Sequence, residues 1–143
     1  MTSPSPISLS TTSFGPVVWS FLHMLAASYK PSPEHAQALH HQLLLLRNLL
    51  PCQHCRTHLS EFLADKALYH PDVYKSRETF ERFVYTLHNR VNRIVHETPN
   101  ASPDFEQVQS QYRQCEVKDS SCHQGCGGGA GSHTTQKVKV VFR

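Results

Sequence analysis

What this 143-residue sequence lacks narrows its function before any motif is considered. No stretch approaches the roughly 20 consecutive apolar residues that a membrane-spanning helix needs, so no membrane span is expected. No long basic run accompanies the net charge of +3, so nucleic acid is not expected as a partner, although eleven histidines would add charge in mild acid. Met1 to Ser13 is rich in Ser, Thr and Pro and holds no Lys or Arg, which fits neither a secretory signal nor an Arg-rich transit peptide. Strand-rich segments and internal repeats are missing as well. The length suffices for one compact core with tails.

What is present is helical periodicity. Phe14, Val18, Leu22, Leu25 and Tyr29 recur at steps of four and three, which predicts a first helix over 14–29 with Pro16 in its first turn. On a neighbouring face Trp19, His23 and Ala26 fall at i, i+4 and i+7, one above the other. Taken alone, such a pair reads as a core Trp beside a hydrogen-bonded His. Pro31-Ser32-Pro33-Glu34 marks a break and a new start, with Ser32 as cap and Pro33 in the first helical position. The second helix carries Ala36, Leu39, Leu43, Leu46 and Leu50 on one stripe. Leu44, Leu45 and Leu49 broaden it, as burial on more than one side or a subunit contact would require.

Pro51 ends that helix, and a third is expected from Cys52 to about Ala67, with Leu59, Phe62 and Leu63 inward. His70-Pro71-Asp72 marks a loop. A fourth helix follows over 76–96 with Phe80, Phe83, Val84, Leu87, Val91 and Val95 inward, and with His88 and Asn92 one turn apart beside Asn89. Thr98 to Pro103 turns the chain, and Phe105, Val108 and Tyr112 share one side of a short fifth helix. The expected fold is all-α, a four-helix bundle with a short fifth helix. It spans 14–114, between a disordered leader over 1–13 and a flexible Cys/Gly-rich tail over 115–143.

Five cysteines, at 52, 55, 115, 122 and 126, are many for a chain without an export signal, and point to catalysis or metal rather than to stapling. Cys52 and Cys55 form a CxxC pair at a predicted helix start, where the positive end of the helix stabilises a thiolate. The same spacing occurs in redox dithiols and in zinc sites. One reading is therefore a helical zinc adaptor using Cys52, Cys55 and His58, or Cys122, Cys126 and His133, though neither cluster supplies a fourth ligand at a familiar spacing. The other is a redox dithiol. The alternating strands and helices of a thioredoxin-like module are absent, and a dithiol cannot pass two electrons to oxygen unaided, so this reading calls for a cofactor that accepts electrons in pairs, a flavin being the natural candidate. Trp19/His23 and His88/Asn92 would supply ring faces and amide groups for it.

Three motifs together carry a specific resemblance. Gly15-Pro-Val-Val-Trp19-Ser-Phe-Leu-His23, Pro51-Cys52-Gln-His-Cys55 and His88-Asn89-Arg90-Val91-Asn92 resemble the GxxxWxxLH, PCxxC and HNxVN motifs of the Erv/ALR family of FAD-linked sulfhydryl oxidases, in the family order and over about Phe14 to Tyr112. The resemblance implies non-covalent FAD in the mouth of the bundle and a homodimer packed through the first two helices. It places Gly15, Trp19 and His23 along the FAD, and His88, Asn89, Val91 and Asn92 at its adenine and ribose end. Cys55 becomes the flavin-proximal sulfur and Cys52 the outer one, with both thiol pKa values lowered by the helix terminus and nearby positive charge. Tyr112 takes an aromatic position of the fifth helix in a shifted register.

The implied chemistry is oxidation of protein dithiols to disulfides, with electrons passing through Cys52/Cys55 and FAD to O2 and giving hydrogen peroxide. Cys122 and Cys126 resemble the shuttle pair of family members, with Cys115 available for a structural disulfide instead. The chain departs from the family after HNxVN, where a short basic segment ending in Lys-Pro is replaced by Arg93-Ile-Val-His96-Glu97-Thr98-Pro99; Arg93 or His96 then stands in for the lysine at the FAD phosphates. Phe83 occupies a position where many members carry Trp. The expected location is the host cytoplasm or the virion if the chain is of the compact type found in large DNA viruses, and otherwise the mitochondrial intermembrane space.

Overall fold

The computed structural model describes residues 11–96 and 103–114. Among these residues the structure is all-helical: α1 Thr11–Ala27, α2 Pro33–Leu49, α3 Gln53–Ala64, α4 Arg77–His96 and α5 Phe105–Gln114, with a 3₁₀ turn at Pro71–Tyr74 between α3 and α4. The expected bundle with a short fifth helix is therefore present. The first helix begins earlier than its apolar stripe suggests, so Thr11 to Ser13 of the expected leader are helical. Pro16 consequently lies beyond the first turn, where its missing N–H leaves the ladder one donor short.

The other helix starts follow from local chemistry. The Ser32 hydroxyl accepts from the His35 N–H at 3.1 Å, Pro33 opens α2, and Glu34 sits in its first turn. At the head of α4, Ser76 and Thr79 exchange two bonds: the Ser76 N–H donates to Thr79 Oγ1 at 2.9 Å and the Thr79 N–H to Ser76 Oγ at 3.1 Å. This is the reciprocal logic of a capping box. The α3 helix stops at Asp65 rather than near Ala67, because the Asp65 carboxylate turns back to accept from the Ala67 N–H at 3.0 Å.

The α1 helix lies against α4 and α2 against α3, while α5 lies across α1 and α4. One core joins the two pairs: Leu22 and Ala26 from α1, Leu43 from α2, Leu59 and Phe62 from α3, and Phe80, Phe83, Val84 and Leu87 from α4. Burying a side chain such as Phe80 or Leu87 stabilises the fold by about 1.5–3 kcal/mol each. Phe83, aromatic as expected, packs on Phe62 and Phe80. The broad leucine face of α2 is not all core: Leu43 is buried, whereas Leu45 and Leu49 face outward, Leu49 at 71% exposure.

Candidate functional site

Because α1 and α4 run side by side, Trp19 and His23, one turn apart on α1, meet His88 on α4. The Trp19 and His88 rings stack with centroids 4.0 Å apart and planes 8° from parallel. His23 Nε2 lies 3.0 Å from His88 Nδ1, and α5 adds Tyr112, stacked on His23 at 4.8 Å and 14°. Four rings from three helices thus form a continuous series. His23 and His88 are buried, at 4% and 2% exposure. Desolvation disfavours the imidazolium, holding His23 down at about 4 and His88, also repelled by His23, at about 3. Both rings are neutral at pH 7, so one N–H can donate across the pair.

The other predicted residues lie on the same two helices, α1 and α4. Asn89 Oδ1 is buried and, among the described residues, has no hydrogen-bond partner. Such an atom costs about 1–3 kcal/mol unless something donates to it. Val91 packs against the core and Asn92, one turn beyond His88, is half-buried. Gly15, one turn before Trp19, is half-buried, and a methyl group added there would meet nothing within 4 Å among the described residues. Flat rings, an orphaned amide acceptor and open space over a glycine suit a planar aromatic ligand with polar edges.

The dithiol is built by the α2–α3 junction. Pro51 prevents α2 from continuing, and Cys52 caps α3, its sulfur accepting from the Cys55 N–H at 3.2 Å. Cys55 is followed at i+4 and i+7 by the buried Leu59 and Phe62, so it lies on the inward stripe of α3. The two thiols therefore part company. Cys52 is lowered from its ordinary value, chiefly by the hydrogen bond from the Cys55 thiol, helped by the backbone N–H groups of Cys55 and His54 and the charge of Arg56. Cys55 is pushed up to about 12 by burial and by Cys52. The expectation that both thiols are lowered thus holds for Cys52 alone, because only its sulfur sits at the helix end.

Arg56 also donates to the Leu50 carbonyl, while the His54 side chain is exposed and acts through its backbone. Arg93 is exposed on α4. Among the described residues no group of three or more His, Cys, Asp or Glu could hold a metal ion, so Cys52, Cys55 and His58 do not assemble one. Cys115, Cys122, Cys126 and His133 lie outside the described residues, as does the His96 side chain.

Sequence reading missed the polar lock between α4 and α5. Glu81, buried at 5% exposure, accepts from Arg113 Nε at 3.0 Å and Nη2 at 2.7 Å and from Gln109 Nε2 at 2.8 Å. No local signal marks it, since its partners are 28 and 32 residues away. A second missed cluster ties His40 to Tyr69, Tyr69 to the Tyr74 hydroxyl, and Tyr29 to the Tyr74 carbonyl.

Comparison with known proteins agrees with this arrangement. The chain is 29% identical over 110 residues to "FAD-linked sulfhydryl oxidase ERV1" of Arabidopsis thaliana, covering 76% of this chain and 54% of that protein. It is 31% identical over 77 residues to "Mitochondrial FAD-linked sulfhydryl oxidase ERV1" of Saccharomyces cerevisiae, covering 52% of this chain and 39% of that one. A third relative, 347L of Invertebrate iridescent virus 6, is 31% identical over 84 residues, 55% of this chain and 76% of its own length. The chain spans about half the length of the Arabidopsis relative and less of the yeast one. The family model for Erv1 / Alr matches residues 16–113, which hold every ring of the series and both cysteines of the pair, and the chain belongs to the Erv1/Alr family.

Proposed function

We propose that the chain is an FAD-dependent thiol oxidase that makes disulfide bonds in protein substrates. The observation that carries this reading is the division of labour within the Cys52/Cys55 pair, one sulfur at the helix end and the other on the buried stripe, in a chain of this family. The residues present fit FAD: half-buried Trp19 offers a ring face backed by the buried His88, His23 and Tyr112, and among the described residues Asn89 Oδ1 has no donor and nothing lies within 4 Å of a methyl group placed on Gly15. Gly15, Trp19, His23, Asn89, Val91 and Asn92 would hold it, with Cys55 as the inner sulfur. When bound, FAD accepts the electron pair of the dithiol and delivers it to O2, which leaves as hydrogen peroxide.

The protein's own steps are thiol exchange. A substrate thiolate attacks Cys52 Sγ of the oxidised pair, and the Cys52–Cys55 bond breaks with the electron pair on Cys55. The second substrate thiolate then attacks the substrate sulfur of the mixed disulfide and expels Cys52. The lowered pKa of Cys52 makes it the better leaving group in that second step. Once the bond has broken, the high pKa of Cys55 draws one of the protons released by the substrate thiols onto the inner sulfur, from which it is donated in a hydrogen bond to Cys52.

The oxidase acts as a homodimer joined through α1 and α2. Val17, Phe21 and Met24 form an exposed apolar stripe on α1, and Leu45 and Leu49 one on α2; a second copy would cover both. Cys122 and Cys126 serve as a shuttle pair for bulky substrates. The purified protein should be yellow, release FAD on denaturation, and consume oxygen with a small dithiol, an activity that Cys52→Ser and Cys55→Ser each abolish. A colourless protein with stoichiometric zinc would instead support the adaptor.

A further inference from the structure

We propose that Glu81, with Arg113 and Gln109, is a positioning device for the cofactor pocket: it fixes the rotation of α5 so that Tyr112 closes over His23. This rests on the FAD-binding reading above. A helix of ten residues is marginal by itself, and its apolar side, Phe105, Val108 and Tyr112, sets its distance from α1 and α4 but only loosely its rotation. Gln109 and Arg113, each one residue on from Val108 and Tyr112, form a second stripe about 100° around the helix. Both converge on one buried carboxylate, with Arg113 gripping the two oxygens as a fork.

Such a bidentate grip tolerates little rotation. Tyr112, next to Arg113 in sequence, is thereby held flat on His23, and His23 in turn meets His88. At the other end of α5, the Tyr85 hydroxyl donates to the Pro103 carbonyl at 2.8 Å and Arg82 lies 4.0 Å over the Phe105 ring. That end is anchored separately, so the Glu81 lock governs the Tyr112 end. A buried charge is costly to desolvate, and an apolar pair of similar size would hold the helices together about as well. What the ion pair adds is orientation.

The test compares the wild type with Glu81→Leu/Arg113→Leu, which removes both charges without stranding one, with the swap Glu81→Arg/Arg113→Glu, and with Tyr112→Ala. Two quantities are read: FAD dissociation and the titration of the His23 ring by NMR. The leucine pair is expected to keep its helical circular dichroism and its melting temperature, to bind FAD about tenfold more weakly, and to let His23 titrate closer to its ordinary value of 6.5 as solvent reaches it. Adding Tyr112→Ala to the leucine pair should cost nothing more, and the swap should recover part of both signals. An unchanged His23 titration, or losses that simply add, would overturn the proposal. If the wild type bound no FAD, the functional reading would fail, while the His23 titration would still decide the lock.

Discussion

His23 Nε2 and His88 Nδ1 face each other at 3.0 Å between α1 and α4, two buried imidazoles sharing one proton at the centre of the ring series. Trp19 covers one side and Tyr112 the other. A proton added to either ring would place a positive charge in a desolvated site.

Acid should therefore loosen this fold. Both folded-state values, about 4 and about 3, lie below the ordinary 6.5, so as pH falls below 6.5 the unfolded chain takes up protons that the folded chain refuses. Stability is full above that pH and declines as pH drops through the window down to about 3, by on the order of a few kcal/mol. Urea midpoints measured from pH 7.5 to 4 should fall steadily below 6.5, and a His23→Gln/His88→Gln variant should show a shallower fall. Equal slopes for both proteins would contradict the buried neutral pair.

Removing Asn89's side-chain amide should separate stability from binding. Among the described residues its buried Oδ1 has no hydrogen-bond partner, so Asn89→Ala is expected to leave the melting temperature of the FAD-free protein unchanged or raise it. The same change should weaken FAD binding about tenfold. Thermal melts with and without FAD decide this, and a loss of stability in the FAD-free protein counts against the assignment.

The reduced protein should be alkylated at Cys52 first. With its pKa lowered, Cys52 carries more thiolate at pH 7 than an ordinary thiol, whereas Cys55, at about 12, carries almost none. Peptide mapping after limited iodoacetamide treatment should find the label on Cys52. Arg56→Gln should slow that reaction a few-fold, since it removes the favourable charge beside Cys52.

Charging the outer stripes should yield monomers. Phe21→Glu with Leu49→Glu alters two side chains that are 42% and 71% exposed in the single chain, so the helices should remain while self-association weakens about a hundredfold or more. Sedimentation velocity with circular dichroism checks this. A dimer of unchanged affinity would place the interface elsewhere.

For the tail pair, Cys122→Ser/Cys126→Ser should slow oxidation of a folded protein dithiol several-fold and spare a small dithiol. Equal loss on both substrates, or on neither, would rule out a shuttle.

The apolar stripes of α2, α4 and α5 were plain in the sequence, because helical periodicity and caps such as Ser32 are local properties, but Val95, expected inward on α4, is exposed. The same is true of the three motifs: Trp19 and His23, or His88 and Asn92, share a helix face by spacing alone. Periodicity left open which leucines of α2 are core, since an outward leucine and an inward one look alike until the chain is folded; Leu49, exposed where Leu43 is buried, shows the difference. It also delayed the start of α1, whose first turn has no apolar stripe to announce it.

The sequence by itself determined that this chain forms helices, carries a dithiol at a helix start, and presents two sets of ring and amide groups at helical spacing. Only the tertiary structure decided that Trp19, His88, His23 and Tyr112 meet in one series, that Cys52 and Cys55 have opposite pKa shifts, and that Glu81 is bound by α5. The reason is physical. Spacing along a helix sets which side chains share a face, but desolvation and long-range pairing depend on which faces are pressed together, and those are fixed by packing.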